Sequence, residues 1–328
     1  YYIHVLAERK RGKRLRHSII AVLFAISGLI CWCGISQVIS NSVSSAFENA
    51  FHIPPLTTTL VLTAIAAVIV LRKNATVKSL DVMVPIMAVC YFVITVGIVL
   101  FNLPKLPAVF GRIFAEAFGL RQAVAGGFGA VLMNGVKRGL FSNEAGMGST
   151  PHAHALANVK CPHDQGVVAM IGVFIDTFVV LTLNALVIIS TLYTEGGPLH
   201  ECGAAAASTT LGKANLAQTA FGVVFGETAG NMFVAVCLFF FAFSTILGWN
   251  LFGKINVAYL FGKKSVIVYT ILALIFIFLG TMMANDLVWE LSDMFNNLMV
   301  IPNVIALFAL TNLVVKHADD PNRIPGKK

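Results

Sequence analysis

Residues 135–157, GVKRGLFSNEAGMGSTPHAHALA, place polar and helix-breaking residues between two long apolar stretches. The segment holds Lys137, Arg138, Asn143 and Glu144 together with four glycines and a proline. Irregular, polar backbone at membrane depth is tolerated only where it is buried in protein or lines a water-filled cavity. Charged side chains there usually mark the path of a substrate or an ion. The segment therefore predicts one discontinuous helix whose break binds a ligand. The alternative is a polar loop between two separate spans.

The break in such a helix frees N–H and C=O groups that can bind the charged groups of a small zwitterion. Phe141 and Ser142 lie just before the break, and Met147 lies between two glycines. We predict that Phe141 and Ser142 contact a substrate and that Met147 closes the apolar side of a small pocket. Glu144 either contacts the substrate or pairs with one of the two cations of the segment, and the sequence leaves both interpretations open.

A second candidate site lies in FAFSTILGWN, residues 241–250. The carbonyl of Phe241 and the hydroxyls of Ser244 and Thr245 are spaced i, i+3 and i+4, so they fall within one helical turn. Hard cations prefer oxygen ligands, and this trio suits one of low charge such as Na⁺. Trp249, one turn after Thr245, is placed to cap a pocket and exclude large side chains. The alternative is that the two hydroxyls only bond back to their own helix.

Two further polar groups lie within apolar spans. Gln37 shares one helix face with Asn41 and Ser44, at spacings of i, i+4 and i+7. This stripe either binds a ligand or joins two helices, with each bond then worth roughly 0.6 kcal/mol. Asp176 lies deep in a later span and is either a proton-sensitive group or a structural acceptor for backbone freed by the break. The sequence does not choose between these roles.

The composition predicts a polytopic membrane protein. Of the 328 residues, 57% are hydrophobic and only 12% are charged, and the mean hydropathy is +0.83. Soluble domains carry about 25% charged residues. The six cysteines lack metal-binding or disulfide-framework spacing. The net charge of +8 invites a nucleic-acid partner, but the positions of the charges explain it better, and we predict none.

Eight spans can be marked by apolar length, each near the roughly 20 residues that a bilayer requires. They cover approximately 18–46, 54–72, 80–102, 122–158 (interrupted), 166–193, 230–259, 265–285 and 287–315.

The basic residues predict the orientation of these spans. Seventeen of the 23 Lys and Arg residues fall on one side, including six within 8–17, whereas the opposite connections hold four. The positive-inside rule then places both ends of the chain in the cytoplasm. We expect the chain to span the inner (plasma) membrane of the cell. A loop at 135–157 would break this alternation, which favours the single discontinuous helix.

The same motifs resemble a known family. GVKRGLFSNEAGMGSTPHAHA, QGVVAMIGVFIDT (165–177), FSTILGWNLFG (243–253) and WELSDMFNNLMVIPNVIAL (289–307) are similar to stretches of the alanine or glycine:cation symporter family, the bacterial and archaeal sodium:alanine symporters. The resemblance covers nearly the whole chain. It implies an all-α polytopic membrane protein with a leucine-transporter-like fold, a helix bundle of ten core helices in two inverted repeats of five.

The resemblance also implies how the chain is divided. Residues 1–328 form one transmembrane transporter domain that looks N-terminally truncated, lacking an extra helix and the first two core helices. Residues 18–102 hold the remaining three helices of the first repeat, and 122–315 hold the five-helix second repeat.

By the same resemblance, Gln37 faces the substrate, and the spacing of Phe241, Ser244 and Thr245 matches the sodium site of the leucine-transporter fold. The expected sites are then as follows: Gln37, Phe141, Ser142, Met147, Thr245 and Trp249 for the substrate, and Phe241, Ser244 and Thr245 for sodium. We expect a monomeric secondary transporter that carries alanine, glycine or both into the cell with Na⁺ by alternating access. A proton-coupled permease of the same fold is the alternative.

Other classes of function lack support in the sequence. The spans contain no GxSxG or HExxH motif and no paired catalytic aspartates, so we expect no enzyme. No charged ring or repeated filter motif indicates a channel. We expect no cofactor apart from Na⁺ as the co-transported ion.

Overall fold

The structure, a computed structural model, describes residues 2–71, 75–118, 127–144, 146–200, 215–280 and 285–319. All regular structure in these ranges is helical. In chain order the helices are α1 (Tyr2–Arg11), α2 (Ile19–Phe51), α3 (Pro55–Leu71), α4 (Ala75–Phe101), α5 (Leu106–Phe118), α6 (Gly127–Asn143), α7 (Thr150–His154), α8 (Pro162–Phe174), α9 (Leu181–Leu192), α10 (Asn215–Phe225), α11 (Glu227–Phe261), α12 (Val266–Leu279) and α13 (Asn285–Asp319). A π-helical turn, Ile175–Val180, joins α8 to α9.

Four helical stretches in the described ranges are long and apolar enough to cross a membrane. They are α2, the continuous stretch Pro162–Leu192, α11, and Trp289–Val315 within α13. A fifth is present if Pro85–Phe101 and Leu103–Phe118, which meet at 65°, form one bent span. An all-helical chain with several apolar helices is what the composition predicted. The eight spans, the leucine-transporter-like bundle and the division into two repeats stay predictions.

Two of the predicted spans correspond to shorter helices. α3 has 17 residues and α12 has 14, against the about 20 that a bilayer requires. The predicted span 265–285 continues past α12 into residues 281–284, which lie outside the described residues. The predicted span 122–158 likewise begins outside them and is described from Gly127 onwards.

α2 lies at the centre of the helix packing, in contact with α3, α11, α12 and α13. Small residues allow close approach, as is usual between helices in membranes. A Cβ atom at Gly34 would lie 2.4 Å from Oγ of Ser292 in α13, and one at Gly280 would lie 2.6 Å from the carbonyl oxygen of Gln37. A side chain at Gly280 would therefore force the backbone of α2 to shift, whereas one at Gly34 would first require the Ser292 hydroxyl to rotate away.

α1 packs against α2 and α13. Its last turn carries Arg9, Lys10 and Arg11, whereas Ile3 in its first turn is buried in the main core cluster. α1 thereby brings Tyr2 towards the broken segment.

Candidate substrate and sodium site

The predicted break lies between α6 and α7. α6 ends at Asn143, and α7 begins at Thr150. Glu144 leaves the helix with φ of +54°, a left-handed conformation that is uncommon for any residue but glycine, and Gly148 follows at +85°. The hydroxyl of Ser149 donates to the Glu144 carboxylate at 2.6 Å. A hydrogen bond from Ser149, at the end of the break, therefore stabilises the left-handed conformation of Glu144 at its start.

α13 holds the break from the other side. The amide of Asn303, which is 1% exposed, donates from Nδ2 to the carbonyl oxygen of Gly146 at 2.9 Å. The Tyr2 hydroxyl donates to Oδ1 of Asn303 at 2.5 Å. A Cβ at Gly148 would lie 2.7 Å from Cγ of Asn303, so only glycine fits beside this clamp. The clamp, Tyr2–Asn303–Gly146, satisfies a backbone carbonyl that the break would otherwise leave without a partner.

Three of the predicted substrate residues belong to one apolar cluster at the break. Met147 is fully buried, and Trp249 is 4% exposed. The rings of Phe141 and Trp249 lie 6.3 Å apart, and the ring of Trp32 lies at the same distance from Trp249 on another side. These residues form a tightly packed wall, which we call the aromatic wall, made of Phe141, Met147, Trp249 and Trp32. Trp32 was missed by the sequence reasoning.

Ser142 takes a different direction from its neighbour Phe141. Its hydroxyl donates to Oδ2 of Asp176 at 2.7 Å. The next residue, Asn143, lies with Nδ2 3.4 Å from Oγ1 of Thr177. Both partners belong to the π-helical turn, so the last turn of α6 is joined to the middle of the α8–α9 stretch.

The three predicted sodium ligands lie together on α11. The hydroxyls of Ser244 and Thr245 donate to the carbonyl oxygen of Phe241 at 2.8 and 2.9 Å. This is the arrangement that the back-bonding alternative predicted, and α11 remains a continuous helix through it. The three oxygens nevertheless converge within one turn. Their role as sodium ligands stays a prediction.

The family model described as the sodium:alanine symporter family matches residues 1–324 of this sequence. The chain belongs to that family. The resemblance expected from the motifs is thereby confirmed.

Curated members of the sodium:alanine symporter family are similar over most of this chain. The sodium/alanine symporter AgcS of Methanococcus maripaludis is 36% identical over 309 residues, covering 93% of this chain and 66% of that protein. The probable sodium/glutamine symporter GlnT of Bacillus subtilis is 36% identical over 318 residues, 96% and 63% respectively. A sodium/proton-dependent alanine carrier protein of a Bacillus species is 33% identical over 317 residues, 93% and 69%. The chain thus spans about two thirds of the length of these relatives.

In this symporter-family chain, the Gln37 side chain is buried. It lines a cavity of about 570 Å³, together with Gly34 of α2, Tyr269 of α12 and Phe295 of α13. The cavity lies between α2, α11, α12 and α13 and is almost entirely apolar. No hydrogen bond among the described residues joins the Gln37 side chain to the aromatic wall, and its role as a substrate contact stays a prediction.

The charged residues of the broken helix do not form the ion pair that one interpretation of the sequence predicted. Arg138 donates from Nη2 to Oδ2 of Asp293 at 2.5 Å, and its guanidinium lies 4.8 Å from the ring centroid of Trp289. Glu144 instead accepts from Ser149, and the Trp249 indole lies beside the same carboxylate. No ion pair among the described residues joins Glu144 to Lys137 or Arg138, so the interpretation that Glu144 pairs with one of these cations is wrong.

Proposed function

We propose that the protein is a secondary active transporter that carries small neutral amino acids, alanine or glycine or both, into the cell together with Na⁺. One observation carries this proposal: the break between α6 and α7 brings irregular backbone, the aromatic wall and charged residues together between apolar helices. Family membership and relatives named as sodium/alanine carriers support it.

The break suits a zwitterion. The end of α6 presents carbonyl groups without intrahelical partners, and the start of a helix presents N–H groups. These groups attract an ammonium and a carboxylate respectively. Backbone groups of this kind can bind the ammonium and the carboxylate without a charged protein side chain. Because every amino acid carries these two groups, this part of the binding does not depend on the substrate's side chain.

The aromatic wall limits the size of the substrate. Phe141, Met147 and Trp249 pack in one cluster with Trp32, and we take this dense packing to favour a substrate side chain no larger than a methyl group. One relative is named as a sodium/glutamine symporter, and glutamine would require the wall to open. We therefore place alanine and glycine ahead of glutamine.

Sodium is the preferred coupling ion because Phe241, Ser244 and Thr245 offer three neutral oxygens in one turn of α11. Co-transport of one charge gains about 2.3 kcal/mol per 100 mV. At about 1.4 kcal/mol per tenfold ratio, this sustains roughly fifty-fold accumulation before any chemical gradient. A proton-coupled permease is the second candidate, because Asp176 is a carboxylate at mid-span and one relative is named as sodium/proton-dependent.

The experiment is uptake of labelled alanine, glycine and glutamine into proteoliposomes. Each is measured with and without an inward Na⁺ gradient at fixed pH, and then with a proton gradient in Na⁺-free buffer. We expect alanine or glycine uptake to require Na⁺. Uptake driven equally well by protons alone would replace the proposal with the second candidate, and glutamine uptake in preference to both would refute the size limit.

We further propose that the protein is a monomer in the inner (plasma) membrane. Both ends of the chain then lie in the cytoplasm. Single cysteines near residues 12 and 264 should then react only with reagents that reach the cytoplasm, whereas cysteines near residues 50 and 205 should react from outside. Labelling of a cysteine near residue 12 from outside the cell would show that the proposed orientation is wrong.

A further inference from the structure

His152, in the middle of α7, has a hydrogen-bond partner for each of its ring nitrogens. Nδ1 lies 2.9 Å from the carbonyl oxygen of Ser149, which can only accept, so Nδ1 carries a proton. Nε2 lies 2.8 Å from Nδ2 of Asn256 on α11. Because a neutral imidazole has one N–H, Nε2 is able to accept from this amide. The two partners therefore suit a neutral His152 with its proton on Nδ1.

A further hydrogen bond fixes the orientation of the Asn256 amide. Its Nδ2 also donates to the carbonyl oxygen of Phe252, one turn earlier on α11, at 2.9 Å. If the amide turned over, Oδ1 would face that carbonyl, and two acceptors would meet without a proton. A second proton on His152 would instead leave Nε2 and Nδ2 as two donors facing each other. Since Asn256 is 5% exposed, little water is at hand to replace the lost bond, and protonation breaks the contact.

Aromatic rings hold the His152 imidazole in this position. It stacks on Phe24 with the ring centroids 6.1 Å apart, and it lies 5.4 Å from the ring of Phe252. The ring of Trp32, a member of the aromatic wall, lies nearly perpendicular to it at 5.9 Å. These contacts restrict rotation of the imidazole, so its two nitrogens stay directed at their partners.

His152 is joined to the break through Ser149. The Ser149 carbonyl accepts from His152, and the Ser149 hydroxyl donates to the Glu144 carboxylate at 2.6 Å. The Trp249 indole lies beside the same carboxylate. Trp249 and Asn256 are two turns apart on α11, so this helix meets the broken segment both at its start and beyond its end. Loss of the contact at Asn256 would therefore loosen the break at its far end.

His152 lines a cavity of about 500 Å³ between α1, α2, α7 and α11, through which protons can reach it. α2 contributes the apolar residues Ala21 and Phe24 to the wall of this cavity. The titratable groups of the described residues that face or adjoin it are Tyr2 of α1, Lys254 and Tyr259 of α11, His4 of α1 at 3.0 Å from the Tyr259 hydroxyl, and Glu144 beyond Ser149. α1 ends in the basic turn that we propose to be cytoplasmic, so His152 would respond to the cytoplasmic pH.

We propose that His152 is a positioning residue for the proposed transport: as the neutral Nδ1–H tautomer it ties α7 to α11 at Asn256 and so holds the break in its binding geometry. It acts through Ser149 and Glu144 and does not touch the substrate. The contact is complete when His152 is neutral and is lost when Nε2 takes a proton, so substrate binding weakens as the pH falls. The inference rests on the proposed function for the substrate, but not for the tautomer or the contact.

The first test is equilibrium binding of labelled alanine to the purified protein at a saturating Na⁺ concentration, from about pH 8 to about pH 5. We expect the affinity of the unaltered protein to fall by about fivefold or more over this range. His152→Gln keeps a donor and an acceptor but takes up no proton, so it should bind alanine well throughout the range. The matched control is His154→Gln on the same helix, because His154 lines a different cavity, with Thr150 and Met170. This control should keep the pH dependence of the unaltered protein.

Two further variants test the contact itself. His152→Phe keeps a ring of similar shape but removes both hydrogen bonds, and should bind alanine several-fold more weakly even at about pH 8. Asn256→Leu should do the same, and the double variant should lose nothing further. Additive losses would overturn the proposal. So would equal pH dependence in His152→Gln and the unaltered protein, because another group, such as His4, would then carry it.

The second test does not depend on the substrate. Nuclear magnetic resonance of protein labelled with ¹⁵N-histidine reports which ring nitrogen carries a proton, and the His152→Gln spectrum identifies the His152 signals. We expect a proton on Nδ1 alone at about pH 8 and on both nitrogens at about pH 5. A protonated Nε2 at about pH 8 refutes the inference, whatever the protein carries.

Thermal unfolding separates a failure of this inference from a failure of the proposed function. The Tm of the unaltered protein should fall with pH more steeply than that of His152→Gln, because only the unaltered protein loses the contact on protonation. Parallel Tm curves overturn the inference. If the curves diverge while the unaltered protein binds neither alanine nor glycine, the contact between α7 and α11 is confirmed and the proposed substrate is refuted.

Discussion

Replacing Asn303 with leucine should release the break between α6 and α7 from α13. The substitution nearly preserves side-chain volume but removes both hydrogen bonds of the clamp. Two partly buried groups, the carbonyl of Gly146 and the hydroxyl of Tyr2, then lack partners. The Tyr2→Phe variant removes only the hydroxyl, leaving Oδ1 of Asn303 unpaired while the bond to Gly146 remains.

The magnitude follows from these two bonds. A buried polar group left without a partner costs about 1–3 kcal/mol, although side-chain bonds between membrane helices average about 0.6 kcal/mol. We expect Asn303→Leu to cost about 2–4 kcal/mol and Tyr2→Phe to cost about 1 kcal/mol. In the double variant Tyr2→Phe should cost nothing further, because the leucine offers its hydroxyl no acceptor. The coupling energy is then about 1 kcal/mol.

The assay is a double-mutant cycle on thermal unfolding of the purified protein, with Asn312→Leu as the control. Asn312 is an exposed asparagine on the same helix. For a chain of 328 residues, with an unfolding entropy of about 2.1 cal/mol/K per residue, 1 kcal/mol corresponds to a change in Tm of about 1.5 °C. Additive changes in Tm for Tyr2→Phe and Asn303→Leu would refute the clamp, as would an equal loss in Asn312→Leu.

Three further predictions concern the charge and the walls of the site. Ser244→Ala and Thr245→Ala should each lower the apparent Na⁺ affinity of uptake by about tenfold, because each removes one of the few oxygen ligands of the ion. Normal Na⁺ dependence in both variants would show that the two hydroxyls serve only helix packing. Trp249→Ala should admit larger amino acids in competition assays and lower Tm, because truncating a buried tryptophan costs about 3–5 kcal/mol; unchanged selectivity would exclude Trp249 from the pocket. Arg138→Asp should abolish uptake and the combined Arg138→Asp, Asp293→Arg protein should recover part of it, whereas equal activity of the single and double variants would show that the ion pair is dispensable.

The features that could be predicted from the sequence are local ones. The break was located because glycines and charged residues interrupt an apolar stretch, and the structure ends α6 at Asn143, inside that segment. The convergence of Phe241, Ser244 and Thr245 follows from the 3.6-residue period of a helix alone. Phe141 and Met147 were also identified, because they flank the break along the chain.

The features that could not be predicted depend on which helices are neighbours. A helical period shows which residues share a face, but not what that face contacts. Asn303 stands out in the sequence as an amide within an apolar span, and Trp32 carries no local signal. The roles of both residues come from the packing of α2 and α13 against the break. The partner of Arg138 was missed for the same reason, since Asp293 lies 155 positions away in sequence. Ser142 and Asp176 were both singled out, yet only the packing of α6 against the π-helical turn joins them.

The continuity of α11 has a consequence for how an ion would be exchanged. Ser244 and Thr245 bond to the carbonyl of Phe241 within a continuous helix, so their oxygens are held in place before any cation arrives. If these oxygens bind Na⁺ as proposed, the ion turns two hydroxyl protons away from the carbonyl, and this step by itself calls for no movement of the helix backbone. A conformational response must then come from elements that meet the ion from the opposite side and have more than one stable geometry. α11 would then stay in place while a neighbouring element changes conformation in response to the ion.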